Sequence, residues 1–328
     1  MTKENTTLFR PISLFSIRPD EPLKFPIMVY YEGRYITYIQ PGQAFGVHYY
    51  NRFIYKKIST LYVPLEHVEE FNRYIQQHEE LEMRVHNEAA QTIEGRISQG
   101  IIKDLTKATQ EIFMTEPGVQ LTQHVKNSLE AAKKTVKEMM DKPYLRIFEC
   151  VPEKSGTVIT HSLRTSLLAS FLGYQLGFVN RNALEYLAAA GLLHDLGKGG
   201  IRLSDNLNLS EEDEEEVLKA HPEVTCQMLA NFDDIPEEVL TIIKEHHEHR
   251  DGTGYPNGIR GLKMHGLSRV FTIANTFDNL VTSLPGSREE RYEAAVDLMS
   301  SEMRSHFDPT LLPKALKVLA FPIKTTLI

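Results

Sequence analysis

Cysteine and tryptophan are nearly absent from this chain, which has two cysteines and no tryptophan in 328 residues. Cys150 and Cys226 lie far apart in the sequence and form no Cys-x-x-Cys motif. The sequence therefore predicts neither a disulfide framework nor a thiolate zinc site, and a cytoplasmic location is expected.

Long apolar runs and an excess of positive charge are also lacking. The longest uncharged segment, residues 165–180, is short for a membrane span and contains polar residues, so it predicts a buried helix and no membrane association. The start of the chain lacks an apolar stretch of signal-peptide length. A formal net charge of -8 argues against DNA binding through a basic surface. The negative net charge is compatible with binding of a phosphate-bearing ligand where local cations or metal ions contact the phosphate.

The distribution of residue types divides the chain into three parts. About half of the aromatic residues precede residue 75, in segments with turn signals at Glu32-Gly33 and Pro41-Gly42, which predicts a small α+β domain over residues 1–78. This domain loosely resembles small sensory or adaptor domains. A helical linker is expected over residues 79–150, and helices throughout residues 151–328. The predicted fold class is mainly α, with an all-helical C-terminal bundle, a small N-terminal α+β domain and a helical linker.

One apolar stripe runs along the predicted linker, where aliphatic residues recur every three or four positions from Leu81 to Ala108. The helix is expected to break at the segment TEPGVQ and to resume over residues 122–141. The stripe could dock on its own domain or pair with a second copy in a homodimer. Gly95 and Gly100 weaken a coiled coil, which slightly favours docking within the chain.

Histidines and one aspartate recur in or beside the predicted C-terminal helices, roughly 30 residues apart, which is the length of one helix and its return. They are His161, His194 with Asp195, His221, and His246 with His247. His194 and Asp195 follow an entirely apolar run, and burial of a polar pair without partners costs several kcal/mol. Metal coordination would supply those partners. The remaining histidines are expected to be ordinary surface or core residues.

Five imidazoles and one carboxylate exceed the needs of one tetrahedral ion, so two ions that share Asp195 would use them better. Imidazole-rich sites suit iron, manganese, zinc, nickel or cobalt more than magnesium or calcium. Two such ions roughly 3.5 to 4 Å apart can hold a bridging hydroxide and clamp a phosphate. Lys198 is expected to bind a phosphate oxygen, to pair with the end of its helix, or both, and Arg164 is a weaker candidate for the phosphate.

The order of these motifs resembles a known family. HDLGK at His194 to Lys198, with HSLR at His161 and AHPE around His221, resembles the HD phosphohydrolase superfamily. The segment HHEHRDGTGYP followed by NGIRG is similar to the HD-GYP signature, and the resemblance covers about residues 152–300. It implies that residues 151–328 form an HD-type bundle that hydrolyses cyclic di-GMP, a bacterial second messenger, to pGpG or GMP. It also implies two or three metal ions, most often iron or manganese.

Carried over by position, the resemblance implies a role for each motif residue. Lys198 falls on the phosphate-contacting lysine, and Gly254, Tyr255 and Pro256 fall on the loop that lines the substrate pocket. In the implied reaction a metal-bound hydroxide attacks phosphorus, with Asp195 and Lys198 as the catalytic residues. The implied metal ligands are His161, His194, Asp195, His221, His246 and His247.

The chain departs from the family pattern at three places. Asn275, in IANTFDNL, stands where the family has a metal-binding aspartate; its neutral oxygen holds a cation more weakly, and Asp278, one turn on, is expected to compensate directly or through water. Thr157 stands where three-metal members carry a glutamate, which favours two metals. The segment TSLPGSREERYEAA is longer than the usual form, which leaves Arg288 and Arg291 as alternative substrate contacts.

Two alternatives to cyclic di-GMP hydrolysis stay open. A degenerate domain would bind cyclic di-GMP or a signalling protein partner without turnover, as Asn275 and the altered arginine segment suggest. An HD enzyme specific for another nucleotide would show turnover of that nucleotide instead.

Overall fold

The computed structural model describes residues 9–56, 58–89, 93–115, 119–141, 157–199 and 218–320. The chain divides into two compact units, residues 1–99 and 100–328. The predicted fold class is confirmed, because the described strands all lie in the first unit and the second unit is helical. The sequence boundary after residue 78 stays a prediction. Cys150, the boundary after it and part of the TEPGVQ segment lie outside the described residues.

A four-stranded antiparallel sheet in the order β1-β4-β2-β3 forms the centre of the first unit. The predicted hairpin joins the second and third strands through Glu32 and Gly33, whose φ angles of 47° and 81° belong to a tight turn. One face of the sheet is a core of aliphatic residues such as Ile27 and Leu61. The elements are β1 (Phe9–Ser13), β2 (Ile27–Tyr31), β3 (Arg34–Ile39), α1 (Val47–Tyr55), β4 (Thr60–Pro64) and α2 (Val68–Ala89).

Helices make up the rest of the described chain. Within the described ranges, no helix is both long and apolar enough to cross a membrane. The helices are α3 (Ile93–Met114), α4 (Val119–Asp141), α5 (Val158–Gln175), α6 (Arg181–Leu193), α7 (His221–Leu229), α8 (Glu237–Glu245), α9 (Gly266–Ser283), α10 (Arg288–Ser300) and α11 (Leu312–Leu319).

The apolar stripe of the predicted linker is buried within the chain where its side chains are described. Ile101, Leu105 and Ala108 of α3 are buried, and α4 packs against α6. An ion pair between Lys134 and Asp104 joins α4 to α3. Docking within the chain is therefore confirmed from Ile101 onward, whereas the homodimer stays a prediction.

Three helices of the second unit pack closely around the functional side chains. Helix α5 packs against α6 and α9, and the Ser166 hydroxyl of α5 donates to the Ala188 carbonyl of α6 at 2.7 Å. Residues of α5 that the sequence predicts to be buried, such as Leu167 and Leu168, are inside the core. This packing places the end of α6 beside the first turns of α5, where the histidines lie.

Candidate metal centre

The predicted histidines and aspartate meet in one buried cluster at the ends of helices. Because helix ends leave backbone groups unpaired, their side chains can turn inward while nearby carbonyls stay available as hydrogen-bond acceptors. All of these side chains are largely enclosed, and His194 is fully buried. The cluster consists of His161 in α5, His194 and Asp195 after α6, His221 at the start of α7, and His246 and His247 after α8.

Three of the imidazoles are oriented by the backbone. The Nδ1 atoms of His194, His221 and His246 lie within hydrogen-bond distance of carbonyl oxygens three residues earlier, at Gly191, Leu218 and Ile243, with separations of 2.9, 2.6 and 2.6 Å. A carbonyl oxygen only accepts, so each Nδ1 carries the proton and each neutral ring presents an unprotonated Nε2. Burial lowers the pKa of His194 to about 3 and lowers the pKa values of His221 and His246, which keeps the rings neutral.

The unprotonated nitrogens face each other in pairs. The Nε2 atoms of His161 and His194 are 3.1 Å apart, and those of His221 and His246 are 3.0 Å apart. Two facing lone pairs repel unless a proton or a cation lies between them. Two imidazoles on one ion with bonds of about 2.0–2.1 Å place their nitrogens roughly 3 Å apart, so the arrangement fits divalent metal ions.

Asp195 lies between two groups of ligand atoms, one formed by His221, His246 and His247 and the other by His161 and His194. Its Oδ1 is 3.2 Å from the His221 Nε2 and 3.5 Å from the His194 Nε2. This oxygen is buried and, among the described residues, has no hydrogen-bond partner. Burial raises the pKa of Asp195, but the charged Lys198 beside it helps to hold that pKa well below the ordinary value. A charged, unsatisfied oxygen among imidazoles is what a shared metal ligand requires.

The Lys198 ammonium donates a hydrogen bond to the other oxygen of Asp195, Oδ2, at 2.6 Å. The intervening turn fits tightly because a Cβ at Gly197 would overlap the His221 carbonyl. The buried Thr225 hydroxyl accepts from the Gly197 backbone N–H at 2.8 Å and lies against the carbonyls of His194 and His221. Thr225 thus joins two ligand-bearing segments. Sequence reasoning missed it, although its position one turn after His221 was a usable signal.

Asp278, held by Arg164, contacts the His161 ring nitrogen that faces away from His194. The Asp278 Oδ2 lies 2.7 Å from the His161 Nδ1, and the Arg164 guanidinium donates to both carboxylate oxygens at 2.6 and 3.2 Å. Arg164 is thus buried against Asp278, and both oxygens of Asp278 accept hydrogen bonds, while a phosphate contact of Arg164 and metal coordination by Asp278 stay predictions. A carboxylate on the outer nitrogen fixes the tautomer of a metal-binding histidine and raises its basicity.

Asn275 lies on the face of α9 that covers the cluster. It is one turn after Phe271, whose ring centroid is 5.5 Å from that of His194, and three residues before Asp278. Residues three and four apart share one face of a helix, so Asn275 faces the histidines. Its amide oxygen is buried and lacks a hydrogen-bond partner among the described residues, which fits a neutral ligand.

The loop after His247 folds back onto the cluster. A Cβ at Gly254 would overlap the backbone of His247 and Glu248, so only glycine fits there. The Tyr255 backbone N–H donates to the His247 carbonyl at 3.0 Å, and the Tyr255 ring stacks on the His247 ring with centroids 4.5 Å apart and planes at 17°. Pro256 follows directly. The three loop residues predicted to line a pocket therefore lie beside a predicted metal ligand.

Two buried carboxylates hold this loop, and sequence reasoning missed both. Glu248 is fully buried, and its two oxygens accept from the backbone N–H groups of Asn257 and Ile259 at 2.6 and 2.8 Å. Glu245 accepts from the His265 N–H at 2.9 Å. Their positions on either side of the paired histidines were the available signal.

Comparison with known proteins agrees with this geometry. The model of the HD domain family matches residues 149–311. The 3'3'-cGAMP-specific phosphodiesterase 3 of Vibrio cholerae is 28% identical over 193 residues, which cover 55% of this chain and 41% of that protein. The cyclic di-GMP phosphodiesterase response regulator RpfG of Xanthomonas campestris is 27% identical over 194 residues, which cover 58% of this chain and 50% of that protein.

This chain belongs to the HD-GYP family. It spans about two-fifths to one half of the length of these curated relatives. The solved structure of Bd1817, a HDG"Y"P protein from Bdellovibrio bacteriovorus, matches 95% of this chain and 99% of that chain with a TM-score of 0.60 and 22% identity. The structural likeness shows a shared fold.

The remaining departures from the HD-GYP pattern also have defined surroundings. Thr157 caps α5, where its hydroxyl accepts from the Thr160 N–H at 3.2 Å. Arg291 is buried and donates to the Val281 carbonyl at 3.1 Å, which ties α10 to α9. The Arg288 guanidinium lies 5.4 Å from the centroid of the Tyr292 ring. The described contacts of both arginines are thus with the α9–α10 region, and a substrate contact of Arg288 stays a prediction.

Proposed function

We propose that this HD-GYP domain hydrolyses the phosphodiester bonds of a cyclic dinucleotide, with cyclic di-GMP as the first candidate and pGpG, GMP or both as products. One observation carries the proposal: two groups of unprotonated imidazole nitrogens lie on either side of the Asp195 carboxylate, with Lys198 beside it. Relatives named as phosphodiesterases of cyclic di-GMP and of 3'3'-cGAMP support this substrate class.

The residues of the cluster would hold two divalent ions. Iron is the first candidate, and manganese, zinc, nickel and cobalt are the alternatives that suit imidazole-rich sites. When bound, such ions supply a Lewis acid for the phosphate and make water nucleophilic near neutral pH. His161, His194, His221, His246 and His247 offer the nitrogen ligands, while Asp195 offers one oxygen to each group.

The remaining side chains would bind and orient the substrate. The Lys198 ammonium, held 2.6 Å from the Asp195 Oδ2, lies where it can also donate to a phosphate oxygen. The Tyr255 ring, stacked on His247, forms an aromatic wall beside the predicted ligands. Burial of the cluster strengthens each of these electrostatic interactions.

Turnover measured by chromatography tests this proposal. Metal-free protein, reconstituted anaerobically with Fe²⁺ or Mn²⁺, is incubated with cyclic di-GMP, 3'3'-cGAMP or cyclic di-AMP. We expect a linear product from the wild type and from D297N, a substitution at an exposed position of α10, and none from D195N. Product formation by D195N, or no product from the wild type with any of these nucleotides and metals, would contradict the proposal.

A second candidate function is binding without turnover. It is favoured by Asn275, whose neutral amide stands on the wall of the cluster where a carboxylate would add charge for a cation. In that case the wild type would bind cyclic di-GMP saturably in calorimetric titration, while the chromatographic assay would show no linear product with any metal.

A further inference from the structure

The two halves of the cluster differ in their ligand sets. The triad half comprises His221, His246 and His247, whose nitrogens lie together within 4.8 Å. The pair half comprises His161 and His194, whose ligand atoms are grouped with Asp195, and Asn275 lies on the adjacent wall of α9. With Asp195 shared between the halves, an ion in the triad half would meet three imidazoles, whereas an ion in the pair half would meet two imidazoles and a neutral amide oxygen.

The shared carboxylate does not remove this difference. The Asp195 Oδ1 is 3.2 Å from the His221 Nε2, 3.5 Å from the His194 Nε2 and 3.9 Å from the His246 Nε2, and it lacks a hydrogen-bond partner among the described residues. The Oδ2 is 3.9 Å from the His161 Nε2, and it already accepts from the Lys198 ammonium at 2.6 Å. The unpaired Oδ1 therefore lies between the two halves, and the oxygen nearest His161 has its charge largely balanced by Lys198, so the carboxylate does not offset the weaker ligand set of the pair half.

The charged residues next to His161 add no net negative charge to the pair half. Asp278 is the nearest further carboxylate, but it is bound to the Arg164 guanidinium through both oxygens and to the His161 Nδ1. This arrangement orients His161 but leaves no net negative charge from the Arg164–Asp278 pair. Cations bind more weakly where neutral oxygen replaces a carboxylate, because less charge is compensated in a buried site.

We propose that the two halves bind divalent ions in a fixed order: the triad half first and tightly, the pair half second and weakly. The consequence for regulation rests on the proposed function, since the second ion would then set when the domain is active. A protein with one ion would be the resting form, and the concentration of free metal would control the second step.

A metal titration tests the order. Metal-free protein is titrated with Co²⁺ in competition with a chromophoric chelator, while the visible absorption of Co²⁺ reports the ligand set. We expect two steps whose dissociation constants differ by at least about tenfold, the lower end of what loss of one supporting group costs a metal site. N275D should tighten only the second step by about tenfold or more, and the surface control D297N should leave both steps unchanged.

Variants of each half assign the steps to residues. H161Q should abolish the second step and keep the first, whereas H247Q should weaken the first. Near-UV circular dichroism of each metal-free variant shows whether it folds. If a glutamine variant does not fold, the titration of N275D still tests the order of binding. Equal affinities for two ions in the wild type, or loss of the tight step in H161Q with its retention in H247Q, would overturn the proposal.

The outcome is separable from that of the proposed function. Two ordered binding steps without turnover of any cyclic dinucleotide would retain this inference and remove the phosphodiesterase. Turnover by a protein that binds two ions with equal affinity would retain the phosphodiesterase and remove this inference.

Discussion

Replacement of Asp278 by alanine should damage both stability and metal binding, and the two effects can be separated. Its carboxylate is buried, accepts two hydrogen bonds from Arg164 at 2.6 and 3.2 Å and lies 2.7 Å from the His161 Nδ1. Asp278→Ala leaves the buried guanidinium without this partner, and arginine cannot give up its proton. Removal of one member of a buried ion pair costs about 3–5 kcal/mol, so we expect a loss of that size in the free energy of unfolding.

Companion variants at the same pair distinguish the two roles. Arg164→Met leaves Asp278 with His161, which still bonds to it, so the loss of stability should be smaller and metal binding should persist. The double variant R164M/D278L removes both charges, and apolar replacement of a buried pair is often neutral for stability. It still deprives His161 of its carboxylate, so its metal affinity should fall about 10- to 100-fold.

Two assays read these effects independently. Urea unfolding of chelator-treated protein, followed by circular dichroism, gives the stability of each variant, and competition with a chromophoric chelator gives the metal affinity. We expect a loss of stability in the variant that leaves a buried charge unpaired. We expect a loss of metal affinity in each variant that lacks the contact between Asp278 and His161. Wild-type stability in D278A, or equal metal affinity in R164M and R164M/D278L, would refute it.

Three other predictions concern the turn, the histidines and the loop. Gly197→Ala should cost roughly 1–3 kcal/mol in urea unfolding, because the added Cβ overlaps the His221 carbonyl; unchanged stability would contradict the tight packing. In metal-free protein, burial lowers the pKa of His194 to about 3, while the unfolded value is about 6.5. The unfolded state then binds more protons, so the free energy of unfolding should fall as pH drops from about 6.5 toward 3, by up to about 1.4 kcal/mol per pH unit from this residue; equal values at pH 7.5 and 5.5 would contradict this. Tyr255→Ala should weaken cyclic di-GMP binding in calorimetry while Tyr255→Phe retains it, because the phenyl ring can still stack on His247; equal losses would contradict a stacking role.

The sequence predicts the mainly helical fold because its apolar runs and turn residues coincide with the buried helices and the turns of the structure along most of the chain. The apolar run before His194 becomes the buried α6, and Glu32 with Gly33 forms the predicted hairpin turn. The spacing of histidines at helix ends predicts which residues come together, since one helix and its return bring successive ligands to the same place.

The parts that sequence reasoning missed depend on contacts across the fold. The ion pair between Arg164 and Asp278 could not be predicted, because 114 residues separate the two in sequence. Thr225 and Glu248 show the same limit, since their roles come from the backbone groups that packing places beside them. Their positions beside the histidines were a signal in the sequence, but the backbone groups that they bind are known only from the packing.

Anomalous X-ray diffraction from crystals grown with excess Mn²⁺ tests the central claim most directly. The account predicts two peaks, one against His221, His246 and His247 and the other against His161 and His194, with Asp195 in contact with both. No peak in this cluster, or a peak that contacts none of these histidines, would contradict it.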